Sequence, residues 1–430
     1  MSGKKNVTPM VKKIVLAYSG GLDTTVIIPW LKENYPDSKI IAVCTNVGLG
    51  EELEGLEQKA LKSGADKYFC VDLQEELVKN YIFPMLKAGA LYENTYFLGT
   101  AIARPAQAKA QVDICRQEGA DAVSHGCTGK GNDQVRFELT YKALAPHLKV
   151  IAPWRLWDIS SREDALDYAR KRNIDLSGIS ETKLYSRDAN LWHTSTEGEE
   201  LESSWNEPSK DVHKVTVSPE EAPDTPQYVD IKFEKGKPIA LNGVDTGAVE
   251  LLEKLNEIGA KNAIGRADVI ENRLVGMKSR GVYETPGGTI LYRALDNLKR
   301  ITLDRESYRE MQDVGTRYAD LVYNGKWFTG LRKAYDAFVN SMCEFVTGSV
   351  KLKLYRGNIL YAGVKSPYSL YLEDLATFGE SKSYKHSDAS GFINLYGLSV
   401  GVSYLAQRDL HDIDDGQIPE IAELSGFRDK

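Results

Sequence analysis

Over residues 1–174 the apolar positions come in short, nearly unbroken runs: KKIVLAY, KIIAVCTNV, KYFCVDL, DAVSHG and LKVIAPW. Strands buried on both faces of a parallel sheet read this way, whereas half-exposed strands alternate. Between the runs lie helical patterns, EELEGLEQKALKSGA and ARPAQAKAQVDICRQEG among them. A further helix is predicted over residues 160–173, opened by Ser160 and Glu163 at capping-box spacing. Strand and helix in alternation predict a doubly wound α/β domain over residues 1–174, with ligands at the carboxyl ends of its strands.

The pattern changes near residue 175. Residues 177–227 hold many Ser, Thr, Glu and Pro with little periodicity, which predicts long loops over the first domain. YVDIKFEKGKPIALNG predicts a hairpin turning at Lys235-Gly236. Val249, Leu252, Leu255 and Ile258 form a helical stripe within residues 247–261. Long helical patterns fill residues 294–346, and VKLKLYRGNILYAGVKS predicts another hairpin. Residues 175–400 therefore read as a second, α+β domain. The last 25 or so residues are too polar to form a core. Residues 401–430 are expected to fray or to serve as an arm on a neighbouring subunit.

Composition narrows the picture. The chain has 430 residues, 42% hydrophobic and 27% charged, a globular balance with room for two domains. No run approaches the 18 or so apolar residues of a membrane helix, and the apolar stretch Ile14 to Tyr18 is too short for a signal sequence. The five cysteines lack C-x-x-C spacing, which predicts reduced thiols and a cytoplasmic location. No H-E-x-x-H and no histidine pair four apart occurs, so no protein-ligated metal is expected. A net charge of −7 argues against a broadly basic nucleic-acid surface and leaves small metabolites as ligands.

The strongest chemical signal is Ala17-Tyr18-Ser19-Gly20-Gly21-Leu22-Asp23-Thr24-Thr25, between the first strand and its helix. Paired glycines let the backbone turn tightly against an anion, and first-turn N–H groups with the helix dipole attract phosphate. Neither a Walker motif nor G-x-G-x-x-G occurs. A second cluster, Ser124 to Arg136, follows the fourth predicted strand with three glycines among Thr128, Lys130, Asn132, Asp133 and Arg136. If strands one and four flank a switch point, both loops meet in one crevice. Asn132 and Arg136 share a helix face if a helix begins there, and Arg136 suits a carboxylate.

The first loop resembles the pyrophosphate-binding loop of the N-type ATP pyrophosphatases. Together AYSGGLDT, LGT-x-x-ARP, HG-x-TGKGNDQVRFE, ENR-x-x-GMKSRG-x-YETP and SPYSLY, spanning residues 17 to about 371, resemble argininosuccinate synthase. That resemblance implies an ATP-dependent ligase that forms a citrulline adenylate, joins it to aspartate, and releases pyrophosphate and AMP. It implies ATP at residues 17–25, Thr45 and Gly126. It places citrulline at Tyr96, Ala101, Asn132, Arg136, Ser186, Ser195, Glu271 and Tyr283, and aspartate at Thr128, Asn132 and Asp133. Mg2+ on the phosphates and a homotetramer with embracing C-terminal segments are further implications. No residue is singled out as general base.

Three positions depart from the family pattern. Ala101 stands where serine is usual, Thr45 with Gly48-Leu49 replaces an alanine followed by Gly-Gln, and the loop ends in Thr24-Thr25. None removes a charge. The bland alternatives are half-buried tyrosines at 96 and 283, locally bonded serines at 186 and 195, and Glu271 paired with Arg273 or Lys278. The rival functions are another adenylating enzyme of the same loop class and a non-catalytic nucleotide sensor.

Overall fold

Along the first strand Val15 faces one helical layer, while Ile14 and Leu16 face the other. That arrangement explains the unbroken apolar runs. The structure, a computed structural model, describes residues 11–48, 53–159, 161–174 and 185–406. Strands β1 (Lys13–Ala17), β2 (Lys39–Asn46), β3 (Lys67–Asp72), β4 (Ala122–Ser124) and β5 (Lys149–Ile151) form a parallel sheet in the order β3-β2-β1-β4-β5. The order reverses between β1 and β4, where Val15 pairs with both Ile41 and Val123. The switch point expected from the sequence lies there.

Helices α1 (Leu22–Asn34) and α2 (Leu56–Lys62) cover one face, with Ile27, Ile28 and Leu31 packed on Ile14 and Leu16. After β3, α3 (Gln74–Leu77) and α4 (Phe83–Ala88) flank a π-turn and lead to α5 (Gly99–Glu118). Helices α5 and α6 (Asp133–Leu144) cover the other face through Ala108, Val112, Phe137 and Tyr141. The helix α7 (Arg162–Lys171) starts differently from expectation. Ser160 lies outside the described residues, and the capping box is formed by Ser161 and Asp164, with both reciprocal bonds at 3.0 Å.

The segment expected to be only loops contributes two strands, β6 (Ser186–Ala189) and β7 (Thr194–Glu197). SRDA and TSTE carry no apolar alternation because they join a sheet that lines polar ground. The predicted hairpin forms as β8 (Gln227–Glu234) and β9 (Lys237–Leu241), extended by β10 (Val244–Asp245). Helix α8 (Ala248–Lys261) buries Leu251, Leu252 and Leu255. Strands β11 (Arg266–Asn272) and β12 (Lys278–Glu284) add to β7 and β6 in the antiparallel order β11-β12-β7-β6.

Helices α9 (Pro286–Thr302), α10 (Arg305–Tyr323) and α11 (Gly330–Met342) follow, then the hairpin β13 (Gly348–Tyr355) and β14 (Asn358–Lys365). This hairpin completes a five-stranded antiparallel sheet, β10-β9-β8-β13-β14. Its apolar residues join α3, α4, α5 and α8–α11 in the largest core cluster.

The chain divides into two compact units, Met1–Leu370 and Tyr371–Lys430. Within the second, α12 (Glu373–Ala376), α13 (Ser387–Tyr396) and α14 (Leu398–Ala406) are described. Most of the expected arm, residues 407–430, lies outside the described residues. Among the described residues no helix is long and apolar enough to cross a membrane.

Candidate active site

The loop after β1 turns through Gly20 at φ +75°, and a Cβ there would lie 2.2 Å from Leu56 Cδ2. Glycine is therefore favoured by the backbone angle, and a side chain there would also have to displace Leu56. Tyr18, Leu22, Thr24 and Thr25 are buried beneath the loop, while Ser19, Gly21 and Asp23 are exposed at its rim. Gly21 is the N-cap of α1 and offers no side-chain acceptor to the first-turn N–H groups. Ser19 Oγ lies 3.1 Å from Thr24 Oγ1, and the Thr25 hydroxyl donates to Gly20 O at 3.4 Å. These contacts fix the turn from inside and leave its outer edge suited to an anion.

The second loop packs on the first. A Cβ on Gly126 would approach Thr24 Cγ2 to 2.8 Å, so the loops after β1 and β4 touch at the switch point. At the end of β2, Thr45 Oγ1 accepts from Gln107 Nε2 at 3.0 Å, on the same carboxyl edge of the sheet. Thr128 and Lys130 are exposed. Cys127 is half-buried and burial pushes its thiol up, so it is no nucleophile at neutral pH.

Asn132 caps α6, which places Arg136 one turn on, as the spacing predicted. Asp133 receives Arg104 Nε on Oδ2 and Arg136 NH1 on Oδ1, each at 2.8 Å. Burial alone would raise the pKa of Asp133, but the two guanidinium groups outweigh it and hold the carboxyl below its ordinary range. Arg104 reaches on to Asp188 at 3.0 Å, tying α5 and α6 to β6. Arg136 Nε donates to Tyr323 O at 3.0 Å and the guanidinium lies 4.9 Å from the Tyr323 ring centroid.

Opposite this helix stands the antiparallel sheet. Tyr283 on β12 pairs with Ser195 on β7, which pairs with Asp188 on β6, so the three lie in one cross-strand row. Ser195 is buried and donates to Asp188 O at 3.4 Å, whereas Ser186 is exposed. Tyr96 stacks obliquely on Tyr283 at 4.4 Å between centroids, and its hydroxyl accepts Thr100 N at 3.2 Å. Ala101 is fully buried in the large core cluster with Ile102.

Glu271 on β11 is 5% exposed and pairs with neither Arg273 nor Lys278. Arg273 binds Glu197 at 2.7 Å, and Lys278 donates to Asn272. Glu271 Oε1 accepts instead from the Tyr323 hydroxyl at 3.0 Å, while Oε2 is buried without a protein partner. Burial raises the pKa of this carboxyl, with Tyr323 and Arg136 acting the other way. That buried carboxylate oxygen therefore keeps capacity to accept a further hydrogen bond.

Several residues at this centre were not assigned roles from sequence. Arg104 appeared only inside a motif string. Asp188 and His193 lie in the segment read as loops, and Tyr323 sits in an amphipathic helix where an aromatic reads as core. His193 packs where Gly99 lacks a side chain, since a Cβ there would lie 2.1 Å from its ring. Burial pulls its pKa down to about 4, so the ring is neutral at pH 7. The Thr100 hydroxyl donates to Asp188 at 2.8 Å and has one hydrogen, so His193 Nε2 at 3.0 Å is the donor to Thr100.

A separate cavity of about 580 Å³, lined in part by Tyr292, Arg293 and Lys299, contains none of the expected binding residues. The candidate site is set apart by its converging buried polar groups, not by cavity size.

A Gly-rich turn at the switch point of a doubly wound sheet, faced by a polar antiparallel sheet, is the arrangement of a nucleotide-using α/β enzyme. Residues 13–175 match the arginosuccinate synthase N-terminal HUP domain, and residues 185–403 match the arginosuccinate synthase C-terminal domain. The argininosuccinate synthase of Acetivibrio thermocellus is 60% identical over 92% of this chain and 97% of its own length. That of Carboxydothermus hydrogenoformans is 59% identical over 93% and 99%, and that of a Thermoanaerobacter species 56% over 94% and 98%. The chain belongs to the argininosuccinate synthase family.

Proposed function

We propose that the chain joins citrulline to aspartate in two chemical steps driven by ATP. The observation that carries this reading is the pairing of an anion-receptive loop at residues 17–25 with a buried acid–base network one strand away. A ureido carbon is a poor electrophile and its oxygen a poor leaving group. In the first step the ureido oxygen bonds to the α-phosphorus of ATP and the bond to pyrophosphate breaks. In the second the aspartate amine bonds to the former ureido carbon, the carbon–oxygen bond breaks, and AMP departs as the amine sheds a proton.

The protein's part is alignment and charge placement. The turn at Ser19–Thr25 receives the nucleotide phosphates, with Thr45 and Gly126 beside it. Arg136, held by its Nε and NH1 bonds to Tyr323 O and Asp133, faces the substrate carboxylate, and Glu271 Oε2 takes a citrulline N–H group. Tyr96, Tyr283 and Ser195 close the pocket around citrulline. Thr128, Asn132 and Asp133 border the place for aspartate, where Asp133 also sets the two arginines. Ser186 stands at the exposed edge, and Ala101 contributes packing.

Among the described residues no cluster of three His, Cys, Asp or Glu suits a metal ion. Mg2+ would arrive on the nucleotide phosphates, near Asp23, and neutralise their charge. Helices α13 and α14 leave Phe392, Ile393, Leu395, Tyr396 and Val400 uncovered within their unit. We read these as the surface that other copies cover in a homotetramer. The five cysteines are free, in keeping with the cytoplasm.

Incubation with ATP, citrulline and aspartate tests the reading. AMP and argininosuccinate are expected in equal amounts, and neither product should form when citrulline is omitted.

A further inference from the structure

Helix α10 ends against the start of α6. Gly325, at φ +70°, lets the two meet, because a Cβ there would stand 2.8 Å from Arg136 Cα. The contact brings Tyr323, the last residue of α10, into the centre of the polar network. Its ring lies parallel to that of Tyr92 at 3.6 Å between centroids and 6° between planes. The Tyr92 hydroxyl in turn donates to Asn272 O at 2.8 Å, beside Glu271.

The hydrogen bonds around the Tyr323 hydroxyl have only one consistent direction. Asn132 Oδ1 accepts Leu274 N at 3.0 Å, which fixes the orientation of the amide. Asn132 Nδ2 then donates to Tyr323 Oη at 2.9 Å, and the single hydroxyl hydrogen goes to Glu271 Oε1 at 3.0 Å. The same residue's carbonyl holds Arg136 Nε, and its ring lies under the guanidinium. One residue therefore contacts three groups expected to meet citrulline: Asn132, Arg136 and Glu271.

We propose that Tyr323 is a positioning residue for citrulline: its hydroxyl locks the Asn132 amide and occupies Glu271 Oε1, leaving Oε2 as the acceptor for a substrate N–H. The proposal rests on the substrate reading above. Tyr323 touches no reacting atom; it acts through Asn132 and Glu271, which frees the chemical step from dependence on it.

Tyr323→Phe keeps the ring, its stack on Tyr92 and the backbone carbonyl, and deletes only the hydroxyl. The citrulline KM should rise about tenfold, the scale of one hydrogen bond to a charged group. The ATP KM and kcat should stay close to those of the parent, because no contact to the residue 17–25 loop changes. In a Glu271→Gln background the same change should add less than about twofold to the citrulline KM. An unchanged citrulline KM in the single variant, or parallel rises in the KM for ATP and citrulline, would overturn the proposal. So would fully multiplicative effects in the double variant. A crystal structure of Tyr323→Phe supplies a reading without turnover: displaced Asn132 and Glu271 side chains are expected, and unmoved ones overturn the assignment. If the parent shows no citrulline-dependent turnover, the substrate reading fails by itself, while the crystal structure still decides whether Tyr323 positions these groups.

Discussion

Arg104 Nε donates to Asp133 Oδ2 at 2.8 Å, joining α5 to α6, while the other oxygen of the same carboxylate holds Arg136. Both arginines are largely buried, with side-chain exposures of 15% and 5%. Asp133 is thus the counter-charge for two cations, and Asp188 shares only one of them.

Removing it leaves buried positive charge under-compensated. Asp133→Asn should destabilise the fold by about 3 kcal/mol, read from denaturant midpoints at neutral pH. The folded pKa of Asp133 is depressed, so its stabilisation is present above the unfolded value and lost as pH falls through the folded one. The parent and variant curves should therefore converge under strong acid, below the ordinary aspartate range. Equal midpoints at pH 7 would contradict the role.

The contact between the two loops gives a second expectation. Gly126→Ala places a methyl group 2.8 Å from Thr24 Cγ2, too close for either to stay in place. The ATP KM should rise by roughly five- to a hundredfold if the strain costs about 1–3 kcal/mol, with the citrulline KM less affected. Adding Thr24→Ser, which deletes the clashing methyl group and keeps the hydroxyl, should restore most of the loss.

Arg136 combines a fork of donors with a stacked ring, which lysine cannot reproduce. Arg136→Lys should lower kcat/KM for citrulline by about ten- to a hundredfold, the range for losing one charge-assisted bond. Parent-like kinetics would move the carboxylate site elsewhere.

Glu271 titrates above its ordinary range, chiefly through burial, with Tyr323, Arg136 and Arg273 lowering it and Glu197 raising it. If its carboxylate accepts a citrulline N–H, binding weakens as pH falls through that raised pKa. The citrulline KM should grow about tenfold per pH unit below it. In Glu271→Gln that acid limb should disappear, leaving a higher KM that no longer depends on pH in the same range.

Much of this was legible in the chain. The five parallel strands were readable because sheets covered on both faces demand unbroken apolar runs, and β1 to β5 have them. The Gly20-Gly21 turn was readable because its chemistry is local. Strands β6 and β7 were not, since they line the polar site and bury Ser195 and Thr196 where a core strand buries Val or Ile. Asp188 and His193 were hidden with them. Tyr323 was illegible for another reason: its role comes from the docking of α10 on α6, a contact between residues 187 positions apart.

The most direct measurement of the central claim is isotope exchange between labelled pyrophosphate and ATP with citrulline present and aspartate absent. A citrulline adenylate formed at the residue 17–25 loop returns label to ATP, so exchange should depend on citrulline and need no aspartate. Adding aspartate should then convert citrulline to argininosuccinate with release of AMP. Citrulline-independent exchange, or release of ADP and orthophosphate in place of AMP and pyrophosphate, would contradict the account.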